Sequence, residues 1–292
     1  MLYNPIAVLG ATSLVGASLI PRLDQKGYRV TAVSRKPIPP GDHGGVLWVQ
    51  ADVSAGAQLA ELAGIKSVIS LAPIWVTAAF TANPPSGLER LVALSSTSVI
   101  AKAGTASQAE KRIVEKLRDG ENFLMESCAR LGIKWTILRP TMIHGGGKDG
   151  NVAAIARFIA KFRFFPIVGQ GLGKRAPVHA ADVAAAAALA MEGPAAIGKV
   201  YDISGGEVLS YHDMAARIFQ AMGKRPRIVN IPTWLARGGV RALSLAPRFS
   251  HLNPELVERM IMDIAFDNTP AREDFGYAPG PFVPDMGEPT AG

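Results

Sequence analysis

The sequence predicts an α/β chain: a Rossmann-type doubly wound parallel sheet followed by a small, mostly helical C-terminal substrate region. Three observations predict it. A short apolar run at residues 6–9 breaks at a glycine turn and leads into a helix-periodic stretch. Strand-type and helix-type segments then alternate to about residue 204, the pattern of helices covering both faces of a parallel sheet. Beyond Gly205 the alternation fades into helices, prolines and loops.

Each element follows from local pattern. Residues 6–9 read Ile-Ala-Val-Leu and form the first strand, and apolar periodicity over 14–23, closing at Gly27, gives the first helix. A β-type run at 28–34 completes a βαβ unit, the building block of such sheets. Further strands are expected at 46–51, 67–71, 90–95, 134–138 and 199–203, with helices at 57–63, 106–131, 152–162, 181–191 and 211–222. Between Ala72 and Leu88 only 15 residues remain, including Pro73, Pro84 and Pro85, so a helix there must be short or missing.

The bulk numbers narrow the function classes. With 292 residues, 48% of them hydrophobic and 19% charged, the chain can bury a sizeable core. No basic cluster opens it, and the longest uncharged apolar stretch, 67–82, is interrupted by Pro73 and is shorter than the roughly 20 residues a spanning helix needs. Neither a signal peptide nor a membrane span is expected, and the lone Cys128, read as space-filling, agrees with a cytoplasmic location. The net charge of +7 is local: 217–248 carries seven basic residues (Arg217, Lys224, Arg225, Arg227, Arg237, Arg241 and Arg248) and no acidic one. Such a patch suits a small anionic substrate, an acidic surface or nucleic acid, or is simply a solvated face. Nucleic acid is not the expected partner.

The turn after the first strand reads Gly10-Ala-Thr-Ser13-Leu-Val-Gly16. A glycine is needed first where the chain turns with positive φ, and last where the helix packs tightly on the strand. Position 12 is threonine, so the strict G-x-G-x-x-G spacing fails, but the motif's place at a strand end and helix start puts backbone N–H groups where a dinucleotide's diphosphate would lie. The second strand ends Ser34-Arg35-Lys36, with two cations where an NAD site presents a carboxylate, which favours NADP(H) over NAD(H). Asp52, after the third strand, either reaches the adenine edge or caps the helix that follows.

Taken together with Gln50-Ala-Asp52-Val, Val68-Ile-Ser-Leu-Ala-Pro73, Leu94-Ser-Ser-Thr97, Ile137-Leu-Arg-Pro140-Thr-Met-Ile-His-Gly145 and Pro177-Val-His-Ala-Ala-Asp182-Val-Ala, the chain resembles the extended or atypical short-chain dehydrogenases/reductases of the NAD-dependent epimerase/dehydratase superfamily. The resemblance implies a nucleotide lying over Gly10, Thr12, Ser13, Leu14, Val15 and Gly16. It also implies contacts from Ser34, Arg35 and Lys36, from Asp52 and Val53, and from Leu71, Ala72 and Pro73. Ser95, Ser96, Arg139 and Pro140 complete that neighbourhood. Residues 1–204 would be the nucleotide-binding domain, with 141–176 contributing to a substrate cleft and 205–292 a small substrate-binding region.

The family's chemistry uses a serine or threonine after the fifth strand and a Tyr-x-x-x-Lys pair on the next helix. Thr97 or Ser96 fits the first role. Counting back from Arg139, with Glu121 as the acidic residue that follows the lysine, the pair falls on Ile113 and Leu117; the register through Lys111 and Glu115 puts Ser107 at the tyrosine. Neither register restores the dyad, and Ile113 and Leu117 cannot move a proton. Candidates left near the nicotinamide end are Thr97, Lys102 and His144: Lys102 as an acid or a solvated loop lysine, His144 as a donor or a packed ring. His179 and Asp182 read as organisers of a helix start, and Arg139 as a structural cation needing anionic or carbonyl partners. Two functions follow: an oxidoreductase or epimerase-like enzyme acting on a carbonyl or nucleotide-sugar-like substrate, anionic if the basic segment holds it, or a non-catalytic NADP(H)-binding sensor or assembly subunit. The short helix after the fourth strand removes the family's usual dimer contact, so a monomer or weak homodimer is expected.

Overall fold

The computed structural model describes residues 4–41, 43–55, 59–236, 238 and 260–285. Seven parallel strands form the central sheet: β1 (Ile6–Leu9), β2 (Val30–Ser34), β3 (Leu47–Gln50), β4 (Ser67–Ser70), β5 (Arg90–Leu94), β6 (Lys134–Pro140) and β11 (Lys199–Ile203), in the order β11-β6-β5-β4-β1-β2-β3. The order reverses between β1 and β4, and in doubly wound sheets a ligand crevice opens at the carboxyl ends of the strands flanking that reversal.

Alternation along the strands builds two cores. Ile6 and Val8 of β1, and Val92 and Leu94 of β5, face helices α1 (Leu14–Gln25) and α6 (Ala180–Glu192). Ala7, Leu9, Leu91 and Ala93 face the opposite way, onto α2 (Ile74–Ala82) and α4 (Gln108–Leu131). Strands covered on both sides must be apolar throughout, which is why β1, β2, β4 and β5 are buried at every residue. The alanine run in α6 suits close packing onto the sheet, and a Lys26–Glu192 ion pair of 2.7 Å ties its end to the end of α1. Helix α4 starts at the hydroxyl of Ser107, which accepts from the Glu110 amide, and stops at Gly132 with φ +71°.

Helix α2 is short, as the sequence implied: it begins after Pro73 and ends at Asn83, before Pro84. Of the helix expected at 57–63, the described residues 59–63 form no α-helix. Single 3₁₀ turns occupy Val53–Ala55 and Ala60–Leu62, and residues 57 and 58 lie outside the described residues. Gly56 and Gly64 bracket a stretch too short to repay helix nucleation, and burial of Leu62 sustains only one turn.

After β6 the chain leaves the sheet through the two-residue strand β7 (Ile143–His144), the short helix α3 (Ser98–Ala101) having already filled the loop after β5. Helix α5 (Val152–Phe162) and strand β8 (Phe165–Val168) pack on α7 (Tyr211–Ala221) through Val152, Ile159, Ile167, Met214 and Phe219. Strand β9 (Lys174–Arg175) pairs with β12 (Leu209–Ser210), β10 (Val178–His179) with β7, and β13 (Ile228–Ile231) with β8. A last helix, α8 (Thr269–Phe275), returns to the edge strand β11, where Lys199 and Tyr201 both bond Asp274.

Candidate active site

The glycine turn is as tight as its sequence demands. Gly10 has φ +75°, and a Cβ there would stand 3.0 Å from the Ala72 nitrogen; one on Gly16 would stand 2.1 Å from the Ala11 carbonyl oxygen. Helix geometry leaves the first N–H groups of α1 without intrahelical partners. Ser13 caps that of Gly16 through its hydroxyl at 3.1 Å, whereas the amides of Leu14 and Val15 bond no acceptor among the described residues. No acidic side chain occupies this first turn, so the positive end of the helix dipole faces the crevice unneutralised. These donors fit the diphosphate of a dinucleotide.

Thr12 takes the place of the fingerprint's middle glycine, and its hydroxyl pairs with that of Ser34 at 2.7 Å. Ser34 in turn accepts from the Lys36 amide at 3.0 Å, which directs the chain so that Arg35 and Lys36 stand exposed at the rim. Asp52 accepts from the amide and hydroxyl of Ser54 at 2.9 and 2.6 Å and lies 3.8 Å from Arg35. Those Ser54 bonds, with the Arg35 charge behind them, hold its carboxyl below the usual range. These bonds make Asp52 a cap on the single 3₁₀ turn at Val53–Ala55 rather than on a following α-helix. Gly10, Thr12, Ser13, Ser34, Arg35, Lys36, Asp52, Val53, Leu71, Ala72 and Pro73 all border one cleft of about 190 Å³.

A second cleft, of about 560 Å³, lies along the same strand ends beyond β5 and contains Ser96, Thr97, Lys102, Glu110, Arg175 and Tyr211 on its walls. Thr97 is buried and commits its one hydroxyl proton to the Pro140 carbonyl at 3.2 Å, whereas the Ser96 hydroxyl accepts from the Ser98 amide and keeps its proton. Ser96 is therefore the better placed of the two to polarise a carbonyl. Lys102 is paired with Glu110 at 3.1 Å. Ser95, one residue before Ser96, has its Oγ buried with no hydrogen-bond partner among the described residues.

His144 lies 1% exposed, its ring edge-on to His179 and Phe282 at 5.2 and 5.0 Å. Burial, aided by His179, pulls its pKa down to about 4, so the ring is neutral near pH 7 and has no imidazolium proton to give. An unfolded histidine takes up its proton near pH 6.5, so this residue should cost stability as pH falls from about 6.5 toward 4. His144→Phe is expected to flatten the fall of Tm across that window; an unchanged slope would assign the acid sensitivity elsewhere.

Other candidates hold the frame. Arg139 forms a two-pronged pair with the buried Glu121 of α4, at 2.9 and 2.5 Å, the anionic partner its burial requires. His179 caps α6 by accepting from the Ala181 amide at 3.2 Å, and Asp182 accepts from Gly280 N at 3.1 Å. Cys128 is buried, its thiol pushed up to about 12 by burial, which agrees with space-filling. Ile113 is 43% exposed and Leu117 is buried in the core of the α4 face. In the basic segment, Arg217 is spent on Glu207 through two bonds of 2.6 Å; Lys224, Arg225 and Arg227 stand near the surface, and Arg237, Arg241 and Arg248 lie outside the described residues. Among the described residues no helix is long and apolar enough to cross a membrane, and no cluster of His, Cys, Asp and Glu could hold a metal ion.

Sequence reasoning passed over Arg175, Tyr211 and Glu110. The one signal was the Ser210-x-x-Asp213 start of α7, where the Asp213 amide donates to the Ser210 hydroxyl at 3.0 Å and which places Tyr211 at the helix's first position.

Comparison with known proteins adds to this geometry. A family model described as NAD(P)H-binding matches residues 10–194. The mitochondrial "NADH dehydrogenase [ubiquinone] 1 alpha subcomplex subunit 9" of Arabidopsis thaliana is 37% identical over 105 residues, covering 35% of this chain and only 25% of that protein's own length. The 2-alkyl-3-oxoalkanoate reductase of Stenotrophomonas maltophilia is 27% identical over 318 aligned positions, covering 94% of both chains. Among solved structures, the UDP-glucuronic acid 4-epimerase of Bacillus cereus in complex with NAD superposes with a TM-score of 0.71 at 17% identity, over 94% of this chain and 93% of that one.

Proposed function

The chain belongs to the NAD(P)H-binding family and has the fold of the extended short-chain dehydrogenases/reductases, and on that premise we propose that it is an NADP(H)-dependent oxidoreductase reducing a carbonyl compound in the cleft beside Ser96. The observation that carries the reading is the start of α1, whose Leu14 and Val15 amides bond no acceptor among the described residues, beside a crevice at the strand ends, with a second, substrate-sized cleft past the ends of β5 and β6. The reductase of Stenotrophomonas maltophilia, alignable over nearly the whole chain, supports the reaction class. Bound NADPH would supply the hydride. The chain's own residues hold the diphosphate on the α1 amides, meet the 2′-phosphate with Arg35 and Lys36, and offer the Ser96 hydroxyl to the carbonyl oxygen. The test is NADPH oxidation across a panel of ketones, aldehydes, quinones and nucleotide sugars. Turnover of none of them by protein that binds NADPH would reject the reading.

The NADP(H) preference rests on charge. Removing both cations with Arg35→Ala and Lys36→Ala is expected to weaken NADPH by about 10- to 100-fold, the loss of one or two charge-assisted contacts. NADH affinity should hold steady, since its free ribose hydroxyls draw on neither cation. Equal weakening of both coenzymes in calorimetry would remove the preference.

A second reading, a nucleotide-binding subunit without chemistry, is favoured by two observations. Helix α4 carries no tyrosine, and one relative in the comparison is, by its name, a subunit of NADH dehydrogenase. It predicts stabilisation by NADPH with no turnover of any compound in the panel.

A further inference from the structure

Reduction of a carbonyl needs a proton for the new hydroxyl, and α4 offers none from Ile113 or Leu117. Around the cleft most proton donors are committed to the protein itself. Lys102 is held by Glu110 at 3.1 Å. Thr97 donates to the Pro140 carbonyl, and Thr141 to that of Ala176 at 2.5 Å. His144 is sealed behind His179 and Phe282.

Tyr211 is different. It lines the cleft as the first residue of α7, and its hydroxyl makes no hydrogen bond among the described residues. Its placement is firm: the Tyr211 amide donates to Gly173 O at 2.9 Å, Ser210 caps the helix, and the ring lies 6.3 Å from that of Phe165. The guanidinium of buried Arg175 stands over its face, 5.3 Å from the ring centre, anchored by the Lys174 and Met262 carbonyls at 2.6 and 2.7 Å. A tyrosine beside a fixed cation repeats, from other elements of the fold, the pairing that α4 lacks.

Building on the oxidoreductase reading, we propose that Tyr211 is the catalytic proton donor of this cleft, with Arg175 as the cation that steadies its phenolate. As hydride adds to the carbonyl carbon, the C–O π electrons take the phenolic proton, giving an alcohol and a Tyr211 phenolate; water entering the cleft returns the proton. Burial raises the phenol's pKa and Arg175 works against that rise, so the residue stays protonated, as an acid must before turnover.

Tyr211→Phe keeps the ring and its contact with Arg175 while removing the proton. Expected is a fall in kcat of about 100-fold or more on whichever carbonyl of the panel is turned over, with NADPH affinity by calorimetry unchanged, which also shows that the variant is folded. A second readout needs no turnover: the infrared carbonyl band of ¹³C-acetophenone bound to the NADP⁺-loaded protein. In the wild type the band is expected at lower wavenumber than in hexane, and Tyr211→Phe is expected to move it upward. Wild-type kcat in the variant, or a band that Tyr211→Phe does not move, overturns the Tyr211 assignment and leaves the oxidoreductase reading standing. A wild type that binds NADPH yet neither turns over the panel nor shows a bound ketone band overturns both.

Discussion

Gly16→Ala is expected to abolish NADPH binding, because the added methyl would stand 2.1 Å from the Ala11 carbonyl oxygen and 2.8 Å from its carbon. Both are main-chain atoms, so no side-chain rotation relieves the clash. The start of α1 must lift away from the end of β1 and carry the Leu14 and Val15 amides out of the crevice. Overpacking of this kind costs on the order of 1–3 kcal/mol, and a modest drop in Tm should accompany the loss of binding heat. Calorimetry and a thermal melt on the same sample check both. Wild-type affinity in this variant would show that the nucleotide does not sit on the helix start.

The other large effect belongs to Arg90. This side chain is wholly buried at the first residue of β5, where it donates to the Lys134 and Ala190 carbonyls at 3.1 and 2.6 Å and to the Thr136 hydroxyl at 2.6 Å. It thus joins β5, β6 and α6 from inside. Arg90→Ala would leave a cavity and several buried acceptors without a donor, a loss of about 3–5 kcal/mol. The urea midpoint should fall sharply. Arg90 lies at the amino end of the sheet, opposite the crevice, so NADPH affinity measured on the fraction that stays folded should match the wild type. A small midpoint shift would mean that water replaces the guanidinium.

These two positions also mark what could be read in the sequence and what could not. Gly10 and Gly16 announce themselves, because a tight βα turn admits few other residues, and the βαβ alternation gives the doubly wound parallel sheet. The position of Arg35 and Lys36, exposed just past the second strand, was legible because they follow its apolar run. Arg139 was correctly expected to need an anionic or carbonyl partner, and Glu121 supplies the anion.

The second cleft was not legible. Its walls come from residues 96–110, 141–143, 175, 211 and 260–264, brought together by strand pairs of two residues that leave no periodic trace. Arg175 looks like any surface cation until β9 pairs with β12 and buries it beside Tyr211. At 59–63, part of the helix expected over 57–63, the chain makes a single 3₁₀ turn that buries Leu62 and ends before Gly64, where φ is positive.

The bare first turn of α1 has one more implication. Where many helices carry an aspartate or glutamate to balance their positive pole, this one carries none, so an incoming anion does double duty as ligand and as the counter-charge the chain does not encode. Folding and coenzyme supply are then thermodynamically linked. At a free concentration one hundred times the dissociation constant, the native state gains about 2.7 kcal/mol over the unfolded one, enough for the lifetime of the polypeptide to follow the size of the coenzyme pool.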